Sequence, residues 1–413
     1  MKILMDPHRL LSSLSLCLDF TKEGIARHHL QVAYIGTALA EEIGLTEDER
    51  EMILLASLIH DAGVSTWGEK VKLAEFEIFE PWEHCSNGYE IISKVDFLKP
   101  VAEIIRHHHD RFGGGNRSGF AGKRIPLAAR IIHLADRIDV LMSKEEHVLI
   151  KRDDIIRAIE SKTGQVFDPE LVVTFRSLAR RESFWLDLVS PFALSKQIYP
   201  VQNQLKRVGL NDLKQIAEMF AVIIDNKSPF TYLHSKGVAN VAVRLAEAMN
   251  FGREDLIMME IAGFLHDLGK LSIPDEILEK PGSLSAEEFA LIKQHTYYTF
   301  HILREAGIPS TIAEWAAYHH EKPNGGGYPF GLEAPQLSLG ARIMAVADVF
   351  TALREDRPYR PGLGKKSIEE IMGKMVLSNA LDGEIVGKLF DIYDYLPAGS
   401  RHSLLYPQWR ASS

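Results

Sequence analysis

Apolar residues recur at three- and four-residue spacing through most of the chain. LQVAYIGTALAEEIG (30–44) and VANVAVRLAEAMNFG (238–252) are two clear cases, and both predict amphipathic helices. TEDE (46–49) and SAEE (285–288) each read as a capping box that opens the next helix. Alternating, β-branched strand patterns are scarce, so the expected class is all-α. One helix ends oddly: the apolar run REDLIMMEIAG leads into FLHDLGK (264–270), which places His266 and Asp267 where burial is deepest. A buried Asp is rare unless it is paired or holds a metal.

The two halves can be laid on each other. His28 to His60 spans 32 residues, and so does His234 to His266. His84 to His108 spans 24, as does His295 to His319. Each half then carries a His-His pair (108–109 and 319–320), a Gly-rich loop, and AARIIHLAD or GARIMAVAD ending at Asp136 or Asp348. Ten of the 17 histidines fall into these matched sets, which core packing alone does not explain. Two helical bundles from an internal duplication are expected. Their boundaries are placed at 1–145 and 218–395, with a helical linker or extension at 146–217 and a tail at 396–413.

Composition narrows the reading without deciding it. A chain of 413 residues, 46% hydrophobic and 25% charged, fits a globular protein of two or three domains. Its net charge of −9 argues against a general polyanion binder and hence against long nucleic acid. Only Cys17 and Cys85 occur, which excludes a disulfide framework and, on this reading, a Cys-based zinc site. The N-terminus lacks the character of a signal peptide, and no run is long enough to span a bilayer. A cytoplasmic protein without membrane association is expected.

In the second half the candidate ligands are His234, His266, Asp267, His295, His319, His320 and Asp348. Imidazole and carboxylate without thiolate suit Fe, Mn, Zn or Ni, and seven ligands exceed what one ion needs. The expected arrangement is two divalent ions bridged by Asp267, preferably Fe or Mn, with Ni or Zn as alternatives. His234, His266 and Asp348 complete one position, and His295, His319 and His320 the other. Paired ions suit phosphoester hydrolysis. A single His on a bundle face is more often a core or surface residue. The same set of types at the same spacing, present twice, favours metal.

These stretches carry a resemblance. SPFTYLHSKGVANVA, FLHDLGKLSIPDEILEKPGSLSAEEF, HHEKPNGGGYPFGL, ARIMAVADVFTAL and RPYR together cover about 228–360. They resemble the HD-GYP family of bacterial cyclic-dinucleotide phosphodiesterases, a branch of the HD metallophosphohydrolases. The resemblance implies that Gly327, Tyr328 and Pro329 are the family's Gly-Tyr-Pro, that Lys270 is its catalytic lysine beside Asp267, and that Arg357 and Arg360 hold substrate phosphate. Three positions depart from the family: Asn324 and Thr351 stand where Asp is usual, and Thr296 replaces a Pro. Phe230 occupies the position at which some members carry a Glu ligand to a third metal, so two metals are expected.

The first half keeps His28, His60, Asp61, His84, His108, His109 and Asp136 as a second candidate metal site. It lacks the Gly-Tyr-Pro and has Val64 at the lysine position. It resembles a divergent HD domain without its acid, read as regulatory, with a weak second hydrolase as the alternative. The implied activity is hydrolysis of cyclic di-GMP or 3',3'-cyclic GMP–AMP to a linear dinucleotide, with mononucleotide as a further product left open. The alternatives are an HD-type nucleotide phosphohydrolase and a catalytically weak, metal-bound signalling module. A homodimer and a diguanylate-cyclase or other signalling partner are compatible with the resemblance.

Overall fold

The computed structural model describes residues 5–396 apart from 22–23, 26, 65, 74, 77–80, 143–145, 191, 195–207, 228–233, 281 and 357–360. Arg357, Arg360 and Phe230 therefore lie outside the described residues. Helices dominate the rest, as the apolar periodicity predicts. The one sheet among the described residues is a two-residue antiparallel pair, Phe20–Thr21 against Gly24–Ile25. No helix among them is long and apolar enough to cross a membrane.

The chain forms two compact units, Met1–Met219 with Ile302–Ile308, and Phe220–His301 with Pro309–Ser413. In the first, the helices His28–Ile43, Glu47–Leu58, Trp82–Ile92, Lys99–Arg106 and Leu127–Val140 build the bundle that carries the histidines. The Thr46–Glu49 capping box forms as the sequence predicts. The segment expected as a linker is folded onto this bundle. Its helices Val148–Glu160, Pro169–Ala179 and Glu182–Val189 bury Phe175, Phe184 and Trp185. Phe184 packs 5.8 Å from Tyr34, ring to ring, and Gln31 donates to the Leu188 carbonyl at 3.2 Å. Large aromatic side chains at helical spacing need an apolar neighbour, and this bundle supplies it.

In the second unit the corresponding helices are His234–Ala248, Arg253–Leu265, Ala286–Glu305, Ser310–Ala317 and Leu339–Arg354. The first two cross closely because Gly263 lies on Ala239, where an added Cβ would meet the Ala239 Cα at 2.5 Å. Leu245, Ile261, Leu265 and Val346 are fully buried, each contributing roughly 1.5–3 kcal/mol of hydrophobic stabilisation. The Ser285–Glu288 capping box is also present, with reciprocal bonds of 2.7 and 3.2 Å. The helix stops differ between halves. Gly44 ends its helix in the left-handed region at φ 83°, and the residue doing so in the second unit is Asn250 at φ 63°, not Gly252. Gly252 is instead the N-cap of the following helix. Asn is the side chain that best tolerates that conformation after Gly.

Candidate metal centre

The ends and middles of five helices place the second unit's candidate ligands together. His234 opens its helix, and His266 and Asp267 directly follow Arg253–Leu265, where the apolar run has carried the chain to the core. His295 sits within Ala286–Glu305, His319 and His320 follow Ser310–Ala317, and Asp348 lies within Leu339–Arg354. The turn at His266–Asp267 rests directly on the helix of His295. An added Cβ on Gly269 would meet the His295 carbonyl oxygen at 2.0 Å, so only glycine permits this approach.

Asp267 is divided between two groups. Its Oδ2 lies 3.1 Å from His266 Nε2 and 3.8 Å from His234 Nε2. Its Oδ1 lies 3.5 Å from His295 Nε2 and 3.8 Å from His319 Nε2. Asp348 Oδ1 closes the first group at 3.3 Å from His234 Nε2. The donor atoms of His234, His266 and Asp348 lie within 4.8 Å of one another, and so do those of His295, His319 and His320.

Three of the rings are oriented by the same device. His266, His295 and His319 each donate from Nδ1 to the carbonyl three residues earlier, Gly263, Ile292 and Ala316, at 2.8, 2.6 and 2.7 Å. A carbonyl can only accept, so Nδ1 carries the proton and the neutral ring presents a bare Nε2 inward. Burial disfavours the charged form of His295 and pushes it down to about 3. The His295 and His319 Nε2 atoms are 3.4 Å apart, two lone pairs facing each other with no proton to share. His266 Nε2 and Asp267 Oδ1 are buried with no hydrogen-bond partner among the described residues. Buried bare donors of this kind fit divalent cations. Burial also opposes the charged form of His234, but the Asp348 and Glu355 carboxylates outweigh it and raise that imidazole to about 10.

Lys270 reaches back to form an ion pair with Asp267 Oδ2. Tyr328 stands beside His320, with ring centroids 4.9 Å apart. Its loop is tied down by Glu321, whose carboxylate accepts from the backbone N–H groups of Phe330 at 2.6 Å and Leu332 at 2.9 Å. Gly327 lies against the Glu321–Lys322 backbone, where a Cβ would come within 2.5 Å of the Glu321 Cα.

The first unit repeats the divided carboxylate. Asp61 Oδ2 lies 3.6 Å from His60 Nε2 and 3.8 Å from His28 Nε2, and its Oδ1 lies 3.5 Å from His84 Nε2 and 3.8 Å from His108 Nε2. His109 Nε2 is 3.7 Å from Asp136 Oδ2. Two features set this cluster apart. The buried Arg137 guanidinium binds that same Asp136 oxygen at 2.7 Å, at a position that is Val349 in the second unit. Val64 is buried where the second unit has Lys270.

Sequence reasoning missed several residues here. Glu355 accepts from His234 Nδ1, Thr299 accepts from the Gly269 N–H at 3.0 Å and fixes the His-Asp turn, and Glu321 anchors the Gly-Tyr-Pro loop. Gly63 and Gly269, each three residues past the His of His-Asp, were the available signal for the close approach. The duplication also reaches further back than the histidines. Asp19 pairs with His29 and Asp225 with Ser235, each ten residues apart and each just after a first ligand.

Comparison with known proteins bears on both units. Families described as "HD domain" match residues 25–141 and 218–385. The 3'3'-cGAMP-specific phosphodiesterase 1 of Vibrio cholerae is 30% identical over 367 residues, covering 87% of this chain and 85% of that protein. A cyclic di-GMP phosphodiesterase of Thermotoga maritima is 33% identical over 189 residues, covering 44% of this chain and 51% of its own. The crystal structure of a cyclic GMP-AMP specific phosphodiesterase from V. cholerae matches with a TM-score of 0.67 and 26% identity, over 96% of this chain and 99% of that one.

Proposed function

This chain belongs to the HD-GYP branch of the HD-domain family, and we propose that its second unit hydrolyses a cyclic dinucleotide, 3',3'-cyclic GMP–AMP or cyclic di-GMP. The observation that carries the reading is Asp267, whose two oxygens face two separate sets of imidazole nitrogens. His234, His266 and Asp348 would hold one ion, and His295, His319 and His320 the other, with Asp267 between them. Bound there, a pair of divalent ions, iron or manganese by donor chemistry, lowers the pKa of a water toward about 7 and offsets charge in an in-line displacement.

The chain's own groups do the rest. Lys270 is placed by Asp267 at the edge of the centre and, with a partly exposed ammonium, can protonate a departing alkoxide or stabilise phosphate charge. Tyr328 offers a ring face beside His320 on which a base or ribose can rest. Arg357 and Arg360 are assigned to phosphate by their sequence positions. The first unit has the divided carboxylate without the lysine, and we assign it metal binding with a regulatory rather than a hydrolytic part.

The test is incubation of iron- or manganese-loaded protein with each cyclic dinucleotide, with products separated chromatographically. Linear dinucleotide is the expected product. A metal-loaded protein that leaves both substrates intact overturns the assignment, and one that instead cleaves only mononucleotides favours the general nucleotide phosphohydrolase.

A further inference from the structure

Cys85 belongs to the first unit's cluster and has no counterpart in the second. It follows His84 in the helix Trp82–Ile92 and is 1% exposed. Its Sγ lies 3.7 Å from His84 Nε2, the ring nitrogen that faces Asp61. The matching residue after His295 is Thr296, whose hydroxyl turns away to the Lys293 carbonyl at 3.0 Å.

The donor atoms of Asp61, His84, His108 and His109 lie within 4.8 Å of one another, and Sγ joins them beside His84. His84 Nε2 is 3.3 Å from His108 Nε2 and 3.5 Å from Asp61 Oδ1, and His108 Nε2 is 3.8 Å from that same oxygen. His108 donates from Nδ1 to the Ile105 carbonyl at 2.6 Å, so its Nε2 is bare. Asp61 Oδ1 is buried without a hydrogen-bond partner among the described residues. A tetrahedral ion with metal–nitrogen bonds of about 2.0–2.1 Å and a metal–sulfur bond of about 2.3 Å sets nitrogen–nitrogen edges of roughly 3.4 Å and nitrogen–sulfur edges of roughly 3.6 Å. Both are matched within a few tenths of an ångström. The thiol also donates to the Pro81 carbonyl one turn back at 3.4 Å, a bond that its deprotonation on metal binding would give up.

We propose that Cys85, His84, His108 and Asp61 form a mixed thiolate–imidazole site in the first unit that takes a tetrahedral, thiophilic divalent ion, zinc by its chemistry. The proposal rests on the reading that the first unit loads metal. Two cysteines in a chain exclude a sulfur-rich site, but one thiolate among imidazoles suffices, and this revises the expectation drawn from cysteine count. Four protein ligands also close the coordination sphere, leaving no position for a reacting water. The two units then differ in metal as well as in acid: an open pair for oxygen chemistry in one, a closed thiolate-bearing position in the other.

The test uses the full chain with His266→Ala and Asp267→Ala, which disables the second unit's pair, loaded with Co²⁺ as a spectroscopic substitute for zinc. A near-ultraviolet thiolate-to-cobalt charge-transfer band is expected, and adding Cys85→Ser should abolish it. In the unmutated chain, X-ray absorption after one equivalent of zinc should show sulfur at about 2.3 Å, a readout independent of how the variants fold. Cobalt bound to the variant without the band, or a band that survives Cys85→Ser, overturns the thiolate assignment while leaving metal in the first unit. A variant that is folded by circular dichroism and binds no cobalt overturns the metal reading itself, and this proposal with it.

Discussion

Glu355 accepts a hydrogen bond from Nδ1 of His234 at 2.9 Å, and it does so from one turn beyond the position that serves in the first unit. There Asp139, three residues past Asp136, holds His28 Nδ1 at 2.7 Å. Three residues past Asp348 stands Thr351, so the carboxylate has moved along the helix to its C-cap. Gly237 packs beside both residues, since a Cβ there would meet the Thr351 methyl at 3.0 Å and the Glu355 carboxylate at 3.4 Å. The departure at Thr351 thus has its compensation inside the same chain.

Removing that carboxylate should loosen the metal and not the fold. Glu355→Ala is expected to lower affinity at the His234 position by about 10–100-fold, as for other partners that orient a metal-bound imidazole. Glu355→Gln should lose less, and Thr351→Asp added to Glu355→Ala should recover part of the affinity. Metal titration against turnover checks all three. Unchanged metal dependence in Glu355→Ala would show that His234 needs no support.

Lys270→Ala should leave metal content intact while reducing turnover on the order of 10²–10⁴-fold, the range for loss of a general acid or charge stabiliser. Its tie to Asp267 is the motivation. Metal analysis beside initial rates separates the two effects, and equal rates in variant and wild type would end the assignment.

The two units should respond differently to the same pair of changes. His266→Ala with Asp267→Ala should abolish hydrolysis. His60→Ala with Asp61→Ala should reduce total metal but spare most turnover, since Val64 leaves that unit without an acid. Loss of all turnover in a folded His60/Asp61 variant would put the chemistry in the other half.

Loading should release protons. Without an ion, His234 is raised to about 10 and is charged at neutral pH, whereas His295 is pushed down to about 3 and is already neutral. A metal needs the uncharged nitrogen. Below about pH 10, affinity at the His234 position should therefore fall about tenfold for each unit of decreasing pH, and affinity at His295 should vary far less. Proton release in weakly buffered solution at pH 8, measured with an indicator dye during metal titration, should be at least one per chain. A value near zero would place the proton elsewhere.

Gly269→Ala tests the packing beneath the centre. Its new Cβ would have to displace the His295 backbone, an overpacking of about 3 kcal/mol that should lower Tm by roughly 6–12 °C. A Tm within a degree of wild type would mean that the turn can shift freely.

What was legible in the sequence was what repeats along the chain. Helical periodicity, capping boxes and the matched His spacings are all local or duplicated patterns, and they led directly to the helices and to the residues that meet at Asp267 and Asp61. The supporting residues were not visible, because nothing in their spacing marks them. Glu355 is 121 residues from His234, and Thr299 lies 33 from His266, so only folding brings them together. Arg137 was equally unmarked: next to Asp136 in the sequence, it is buried against that carboxylate and against the Glu75 and Leu73 carbonyls.

The carbonyls of Gly263, Ile292 and Ala316 each fix a ring from a single turn away, so the orientation of those ligands is completed as their helices form. The receptor for the cations is then finished before any cation arrives. Raw affinity for such donors follows the first-row metal series whatever the cell requires, so occupancy should follow whichever suitable ion is abundant during biogenesis. Protein harvested from iron-replete and manganese-replete cultures should consequently be two different preparations of one polypeptide, and the growth medium becomes a variable of the enzymology.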